Sequence, residues 1–358
     1  MTDQRQIEFL YYKVNKAGVF QADVTEYVQA GTIRMDMDLS VKFQARFTIE
    51  ETDAITFLSD YFMPVMRITE AGSMVDYELG IYRLGFPKRR HGPDVSLWDI
   101  DAYDLSVILL EDLFDAPYTA DDGDDPLAEA KAIAEGAGLS LFNFPDAPSS
   151  NLTADMTWEV GTSKLRAISN LCNAGGCWTP WMEDRGYLVT RLRQSLDEIT
   201  PTVAYTTDEN SMVMPNPATI RTDATRFANK VIVRVNNPDL DVPITGSYTN
   251  SNPDSPISTV SLGRTICKVI DSTSIQTQAD ADAYAQALCE QAASVYLTGY
   301  LYTGLDPSRT IHEAYTLNVY RNGASPLLSG KWWCRGWTMP LKLGGPMKHE
   351  IAKVQAVA

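Results

Sequence analysis

Residues 228–291 carry the pattern that decides the fold of this chain. They open with ANKVIVRVNNPD at 228–239 and pass through a polar loop. They continue with SPISTVSLGRTICKVIDSTSIQTQADADAYAQALCEQ at 255–291. The order predicts a strand, a long exposed loop over 236–256, a second strand at the SLGR sequence and a helix near 278–297.

Two periodicities support this interpretation. Val231, Val233 and Val235 alternate with other residues, as in a strand with one buried face. A stripe of helical spacing follows Thr277 and Asp280, which resemble a capping box. The stripe comprises Ala281, Tyr284, Ala285, Leu288, Ala292 and Val295. The helix is therefore predicted to lie on a sheet.

Length and composition limit the possible classes of protein. The 358 residues suffice for two or three domains of about 100–200 residues each. The net charge of −16 argues against a chain that grips nucleic-acid phosphates, because such binding relies on Lys and Arg. It is compatible with a surface that repels DNA.

Targeting and cysteine signals are weak. The start, MTDQRQIEFL, lacks a basic segment followed by an apolar one, and no apolar run approaches 18 residues, so neither a signal peptide nor a membrane span is expected. The five cysteines are odd in number and irregularly spaced, without a C-x-x-C pair. This argues against a disulfide framework or a zinc site and favours reduced thiols in a bacterial cytoplasm.

The first third reads as β-structure. Residues 41–50 alternate strictly between apolar and polar, and residues 75–81 repeat the pattern. Between them lies the apolar run Tyr61–Ile68, in which Pro64 indicates a strand start or an edge strand. Short alternating strands of this kind predict a sandwich or a barrel.

The middle of the chain changes character. Residues 103–114 look helical, and a second helix is predicted from Pro126 with Asp125 as its N-cap. A third helix should follow a cap at Thr162 or Ser163, and residues 183–186 should form a hairpin turn. This block is expected to be a small α/β domain.

The last part returns to strands. HEAYTLNVY at 312–320, KWWCRGW at 331–337 and MKHEIAKVQ at 347–355 read as closing strands, with a tight turn at Asn322-Gly323. The fold class is therefore mainly β with an α+β insertion, as two β-barrel-like or sandwich domains plus a small α/β domain. We predict domains over residues 1–112, 113–205 and 206–358, the last carrying the long loop and helix over 237–298.

Chemical motifs are sparse. The three histidines, His91, His312 and His349, are far apart, and no nucleotide-binding, hydrolase-elbow or metalloprotease motif occurs. A Cys334–His349 nucleophile pair stays open as an alternative, as does a catalytic pair among the abundant carboxylates. We predict no catalytic residue, no cofactor and no metal site.

One segment is strongly acidic. Residues 94–125 contain eleven acidic residues and neither Lys nor Arg. Asp94, Asp99, Asp101 and Asp104 are the candidates for an acidic channel or interface surface; a solvated face, with Asp101 or Asp104 as a turn cap, is the alternative. The DDGDD sequence lacks the spacing of a calcium loop.

Two other clusters have structural and functional interpretations. Trp332, Trp333 and Trp337 are candidates for an aromatic interface, although such residues in a strand are more often core. Lys88-Arg89-Arg90 is expected to be a surface turn rather than a nucleic-acid site in so acidic a chain.

Several of these segments, in order, resemble the hub proteins of phage tail baseplates. The resemblance includes the apolar run Tyr61–Ile68, the strand YELGIY at 77–82 and the IDAYD turn at 100–104. It continues with the T-W-x-x-G-T-S-x-L-x-x-I segment at 157–168 and the strand, loop and helix of 228–291. It covers most of residues 33–295.

The resemblance implies a structural protein without an active site. It implies a homotrimeric ring at the tail tip that matches the hexameric tail tube and lets DNA pass without specific binding. Implied partners are the distal tail protein, the tape measure protein and tail fibre or tip proteins. The protein would be assembled in the cytoplasm of the host bacterium and reside in the virion, without membrane insertion. The alternative is a carbohydrate-active or carbohydrate-binding β-protein, an adhesin or a glycosidase.

Overall fold

The computed structural model describes the chain in segments, and these form two compact units. The segments are residues 6–91, 96–207, 213, 219–223, 228–235, 244–253, 255, 257–272, 277–292, 295–320 and 326–355. Unit 1 comprises residues 1–216 and 301–350, and unit 2 comprises residues 217–300 and 351–358. The domain boundaries inferred from sequence stay a prediction.

Unit 1 contains most of the strands. The first nine are β1 Gln6–Val14, β2 Phe20–Asp23, β3 Val28–Asp36, β4 Phe43–Glu50, β5 Tyr61–Glu70, β6 Ser73–Glu78, β7 Tyr82–Leu84, β8 Lys88–His91 and β9 Ser96–Asp104. Shorter strands follow: β10 Tyr118–Ala120, β11 Phe142–Asn143, β12 Met156–Trp158, β13 Trp181–Met182, β14 Leu188–Val189 and β15 Val203–Thr206. A 3-10 turn spans Thr25–Tyr27.

The remaining strands lie in the second half of the chain. They are β16 Thr219–Asp223, β17 Lys230–Val235, β18 Ile244–Thr249, β19 Cys267–Ser272, β20 Val295–Thr303, β21 Ala314–Tyr320, β22 Pro326–Pro340 and β23 Met347–Gln355. The helices are α1 Ser106–Glu111, α2 Pro126–Gly136, α3 Lys164–Ala174, α4 Thr259–Leu262 and α5 Gln278–Ala292. The prediction of a mainly β fold is confirmed.

The main sheet of unit 1 curls on itself. Its strand order is β22-β3-β4-β9-β7-β5-β1-β2, with β6 added to β5 and β8 to β9. In a flat sheet β1 and β4 would be about 19 Å apart, since neighbouring strands are about 4.8 Å apart. The rings of Tyr11 on β1 and Phe47 on β4 are instead 6.0 Å apart, centroid to centroid. The sheet therefore closes around an aromatic core like a barrel.

Strand β5 is buried on both faces from Phe62 to Met66, which explains the apolar sequence of that part. Phe62 contacts Phe47 in the barrel core, whereas Met63 and Val65 face the apolar cluster of the helical block. Pro64 lies inside this strand, so its prediction as a strand start or edge was wrong. It is tolerated because β7 pairs only with Tyr61 and Phe62, and β6 only from Val65 onward.

The helical block follows the local signals closely. Asp125 caps α2 with Pro126 in its first turn, and Ser163 caps α3. The predicted hairpin at 183–186 joins the antiparallel strands β13 and β14. The predicted helix over 103–114 is only the six-residue α1, because β9 continues to Asp104.

In unit 2, α5 lies on a three-stranded sheet. Strand β17 pairs antiparallel with β18 and parallel with β19, and α5 packs on β17 and β18. Val231, Val233 and Val235 meet Ala281 and Ala285 in the core. The helix on a sheet is therefore confirmed, although it ends at Ala292 rather than near 297.

Three predictions about strands and loops were wrong. Of the loop predicted over 236–256, residues 236–243, 254 and 256 lie outside the described residues, and the described part begins with β18, whose Gly246 packs inward while Thr245 and Ser247 face outward. The SLGR sequence ends α4 and turns at Gly263, which has a left-handed φ of 62°. Val75 is 46% exposed, as is typical of the outer part of β6, whose residues Ser73–Asp76 are all exposed. The Asn322-Gly323 turn lies outside the described residues, although β21 and β22 pair antiparallel as expected.

Candidate functional site

The acidic candidates Asp99 and Asp101 lie on the exposed face of β9, beside β4. The register places Thr48 opposite Asp99 and Arg46 opposite Asp101. Arg46 Nε donates to Asp101 at 2.8 Å, and Arg90 on β8 donates to Asp99 at 2.9 Å. Both carboxylates on this face are thus paired with arginine side chains. Asp94 lies outside the described residues.

Asp104 is buried, so its prediction as a surface residue was wrong. Its carboxylate accepts hydrogen bonds from the backbone N–H groups of Phe43 at 2.9 Å and Ser106 at 2.8 Å, and from the Ser106 hydroxyl. Burial raises the pKa of Asp104 to about 6 against these hydrogen bonds. Asp104 joins β9, α1 and the start of β4, and it cannot line a channel.

The basic sequence Lys88–Arg90 forms an edge strand, not the expected turn. Strand β8 pairs with β9, and Arg89 and Arg90 form ion pairs with Glu51 and Asp99. Charged residues on an edge strand discourage pairing with other chains.

The tryptophan candidates separate into core and partly exposed residues. Trp332 and Trp337 are only 3% and 4% exposed, and Trp337 packs against Phe43. Trp333 is half-buried and packs edge-on against Trp178, with ring centroids 6.0 Å apart. A row of exposed indoles, which sugar binding would favour, is therefore not formed by these three residues.

Two histidines are buried in unit 1. The ring nitrogens of His349 contact the Thr303 hydroxyl at 2.8 Å and the Tyr315 hydroxyl at 3.2 Å. Burial lowers the pKa of His349 to about 3 and raises the pKa of Cys334 to about 12. A thiol in that state is a poor nucleophile, which argues against the Cys334–His349 alternative.

The second buried histidine, His312, occupies an aromatic slot. Its ring stacks on Trp178 at 4.3 Å and meets Trp181 edge-on at 5.2 Å, centroid to centroid. Arg193 lies over Trp178 and Arg191 over Trp181. Sequence reasoning missed this slot because its members come from segments more than 100 residues apart.

An open groove of about 470 Å³ is a second feature that the sequence did not indicate. Residues 76–78 of β6, the turn around 183–187, and Pro307 with Ser308 line it. Of its four carboxylates, three pair with arginines: Asp76 with Arg67, Glu78 with Arg185 and Glu183 with Arg191. Partial burial, together with Glu183 and Glu78, raises the pKa of the fourth, Asp184, to about 6.

Neither a metal-holding cluster nor a membrane-spanning helix occurs in the part of the chain that the structure describes. No cluster of three or more His, Cys, Asp or Glu side chains there is arranged to hold a metal ion. None of the helices there has the length and hydropathy needed to cross a bilayer.

Solved structures of tail proteins share this fold. A tail protein of Neisseria meningitidis MC58 superposes with a TM-score of 0.66 at 14% identity, over 98% of this chain and 97% of that one. The 43 kDa tail protein of prophage MuSo2 from Shewanella oneidensis gives 0.63 at 13% identity, over 97% and 98%. Prophage tail protein gp18 of Listeria monocytogenes EGD-e gives 0.57 at 12% identity, over 98% and 96%.

These likenesses establish the fold of the whole chain and confirm, at that level, its resemblance to tail proteins. Neither a protein-family model nor a curated protein matches the sequence.

Proposed function

We propose that this protein is a structural component of a phage tail, in the position of the baseplate hub. The fold carries the proposal: three tail proteins match at least 97% of this chain, and 96% or more of each of them is covered in return. Identity of 12–14% speaks for a shared architecture rather than for shared surface residues.

In the finer form of the proposal, three copies form a ring at the tail tip. The ring joins the hexameric tail tube to the tip or fibre apparatus and gates the DNA channel. Its neighbours are the distal tail protein, the tape measure protein and the tail fibre or tip proteins. The ring is assembled in the host cytoplasm and resides in the virion. The curled sheet of unit 1 supports a ring-building module.

The charge of the chain supports passage of DNA without binding. A net charge of −16 repels phosphates over a Debye length of about 8 Å at physiological salt. Asp99 and Asp101 contribute little to that field, since arginines compensate them. Trp333, the half-buried member of the three tryptophans, is the one left as a candidate for the interface.

Light scattering after size exclusion tests the ring. At micromolar protein and moderate salt we expect a mass three times the 39.7 kDa of the chain, alone or with the neighbouring tail proteins. A strict monomer in both samples contradicts the trimer but leaves the fold untouched.

The groove favours one alternative, a carbohydrate-active protein, because it brings four carboxylates and two tyrosines together. Against catalysis, the carboxylates of Glu78 and Glu183 are already engaged in ion pairs with Arg185 and Arg191. We therefore expect no hydrolysis of peptidoglycan or bacterial polysaccharide. Hydrolysis by the wild-type chain that disappears in Asp184→Asn would replace the structural assignment with an enzymatic one.

A further inference from the structure

Residues 304–313, which connect β20 to β21 in unit 1, are fixed by two adjacent side chains. His312 enters the slot between Trp178 and Trp181. Glu313 is buried beside Arg309, with 3.3 Å between the carboxylate and the guanidinium. Its carboxylate also accepts a hydrogen bond from the N–H of Thr310. The same connection supplies Pro307 and Ser308 to the wall of the groove.

His312 is held in an unfavourable state. Its backbone has a left-handed φ of 58°, a conformation that few residues other than glycine adopt, although histidine, asparagine and aspartate do so more often than the rest. The residue is only 9% exposed, and among the described residues neither ring nitrogen has a hydrogen-bond partner. The charged groups that act on the ring are Lys42, Arg191 and Arg193, all of them cations. The slot therefore accepts only the neutral imidazole.

We propose that residues 304–313 form a pH-compensated latch. When this connection opens, His312 takes up a proton and Glu313 releases one. Opening would withdraw His312 from the slot and displace the groove wall at Pro307 and Ser308. The two linkages cancel while both side chains are present, so the latch stays closed in mild acid.

The sign of each linkage follows from burial. Burial and the three cations lower the pKa of His312 to about 3, so opening takes up a proton and becomes more frequent as pH falls below about 6.5. Burial raises the pKa of Glu313 to about 7, and the negative charge of Asp306 acts in the same direction. The charge of Arg309 and hydrogen bonds from Thr310 and Thr202 act in the opposite direction and only partly offset the burial. Opening therefore releases a proton there and becomes rarer as pH falls from about 7 to about 4.5.

Hydrogen exchange of the 304–313 peptide between pH 4.5 and 6.5, corrected for intrinsic rates, tests the latch in the full-length protein. Exchange in strand β4 serves as the reference for global unfolding. The wild type should show no pH dependence of opening. In Glu313→Gln, opening should increase about tenfold for each unit by which the pH falls, and in His312→Phe it should decrease about tenfold. In the double variant, opening should not depend on pH.

The exposed His91 provides the matched control, and His91→Ala should behave as the wild type. The proposal is overturned if opening changes with pH in the same direction in the two single variants, or if opening of Glu313→Gln does not depend on pH. If His312→Phe does not fold, the slope gained by Glu313→Gln over the wild type still decides the question.

Discussion

Helices α3 and α5 are held in place by opposite means. Helix α3 in unit 1 buries large side chains, Leu165, Ile168 and Leu171, in an extensive apolar cluster. Helix α5 in unit 2 presents Ala281, Ala285 and Cys289 to its sheet. Helix α3 is held by the volume of its buried side chains, and helix α5 by the close approach of its backbone to the sheet. The same kind of substitution should therefore affect the two helices differently.

The ends of the two helices show the same contrast. Helix α3 ends in a Schellman motif: Cys177 N–H donates to the Cys172 carbonyl and Gly176 N–H to the Asn173 carbonyl. The two buried cysteines occupy the positions that normally form the apolar contact of this motif. Helix α5 instead meets β18 at Gly246, where an added Cβ would lie 2.3 Å from the carbonyl group of Ala281.

Truncating the large anchor should have the largest effect. Leu171→Ala should destabilise unit 1 by about 3–4 kcal/mol, because it removes buried methyl groups and leaves a cavity. All seven tryptophans lie in unit 1, so urea denaturation followed by tryptophan fluorescence reports on this unit. Arg166→Ala, on the exposed side of the same helix, is the control and should stay within about 0.5 kcal/mol. Equal losses in both variants would show that α3 is not anchored by volume.

Adding one carbon at the close approach should have the next largest effect. Gly246→Ala should cost about 2–3 kcal/mol, since the new Cβ meets backbone atoms of α5 that can move only with the helix. Cys289, which α5 buries against the sheet, gives a local measurement: its labelling by a thiol reagent should accelerate, while labelling of Cys172 in unit 1 should not.

The neighbouring Ser247→Ala is the control, because that side chain points away from α5, and it should leave the labelling of Cys289 unchanged. Slow labelling of Cys289 in Gly246→Ala would mean that α5 is not positioned by this contact.

The same contrast explains what the sequence could predict. The alternation of residues 41–50 and the caps at Asp125 and Ser163 are local signals, and both produced the expected elements. Close packing is not local. Tyr284 was predicted on the buried stripe of α5 but is 44% exposed, whereas the small side chains of Ala281, Ala285 and Cys289 are the ones buried against the sheet.

The candidate site was harder to predict for a related reason. Asp101 looked uncompensated because its partner Arg46 lies 55 residues earlier and on another strand. Asp99 looked uncompensated because its partner Arg90 belongs to a segment that was predicted to be a surface turn and instead pairs with β9 as a strand. The groove joins segments more than 100 residues apart, and the slot of His312 does the same. In the sequence Asp104 looked like its partly exposed neighbours, but in the fold it is only 2% exposed and accepts three hydrogen bonds.

The smallest loss of stability should come from removing the N-cap hydroxyls of α3 and α5. The two losses should differ in which parts of the molecule they affect. Ser163 Oγ accepts from Arg166 N–H at 3.3 Å, and Thr277 Oγ1 accepts from Asp280 N–H at 3.1 Å. Ser163→Ala and Thr277→Ala should each cost about 1 kcal/mol. The conservative variants Ser163→Thr and Thr277→Ser keep the hydroxyl and should retain most of the stability.

Hydrogen exchange should separate the two losses. The large side chains of α3 bind its first turn to the core, so Ser163→Ala should raise exchange throughout unit 1 by a similar factor. The first turn of α5 is exposed at Gln278 and Asp280, so Thr277→Ala should raise exchange there about fivefold and leave the later turns near the wild-type rate. Uniform acceleration along α5 after Thr277→Ala would show that its first turn is as firmly bound as that of α3, and the contrast between the helices would then be confined to their side-chain volumes.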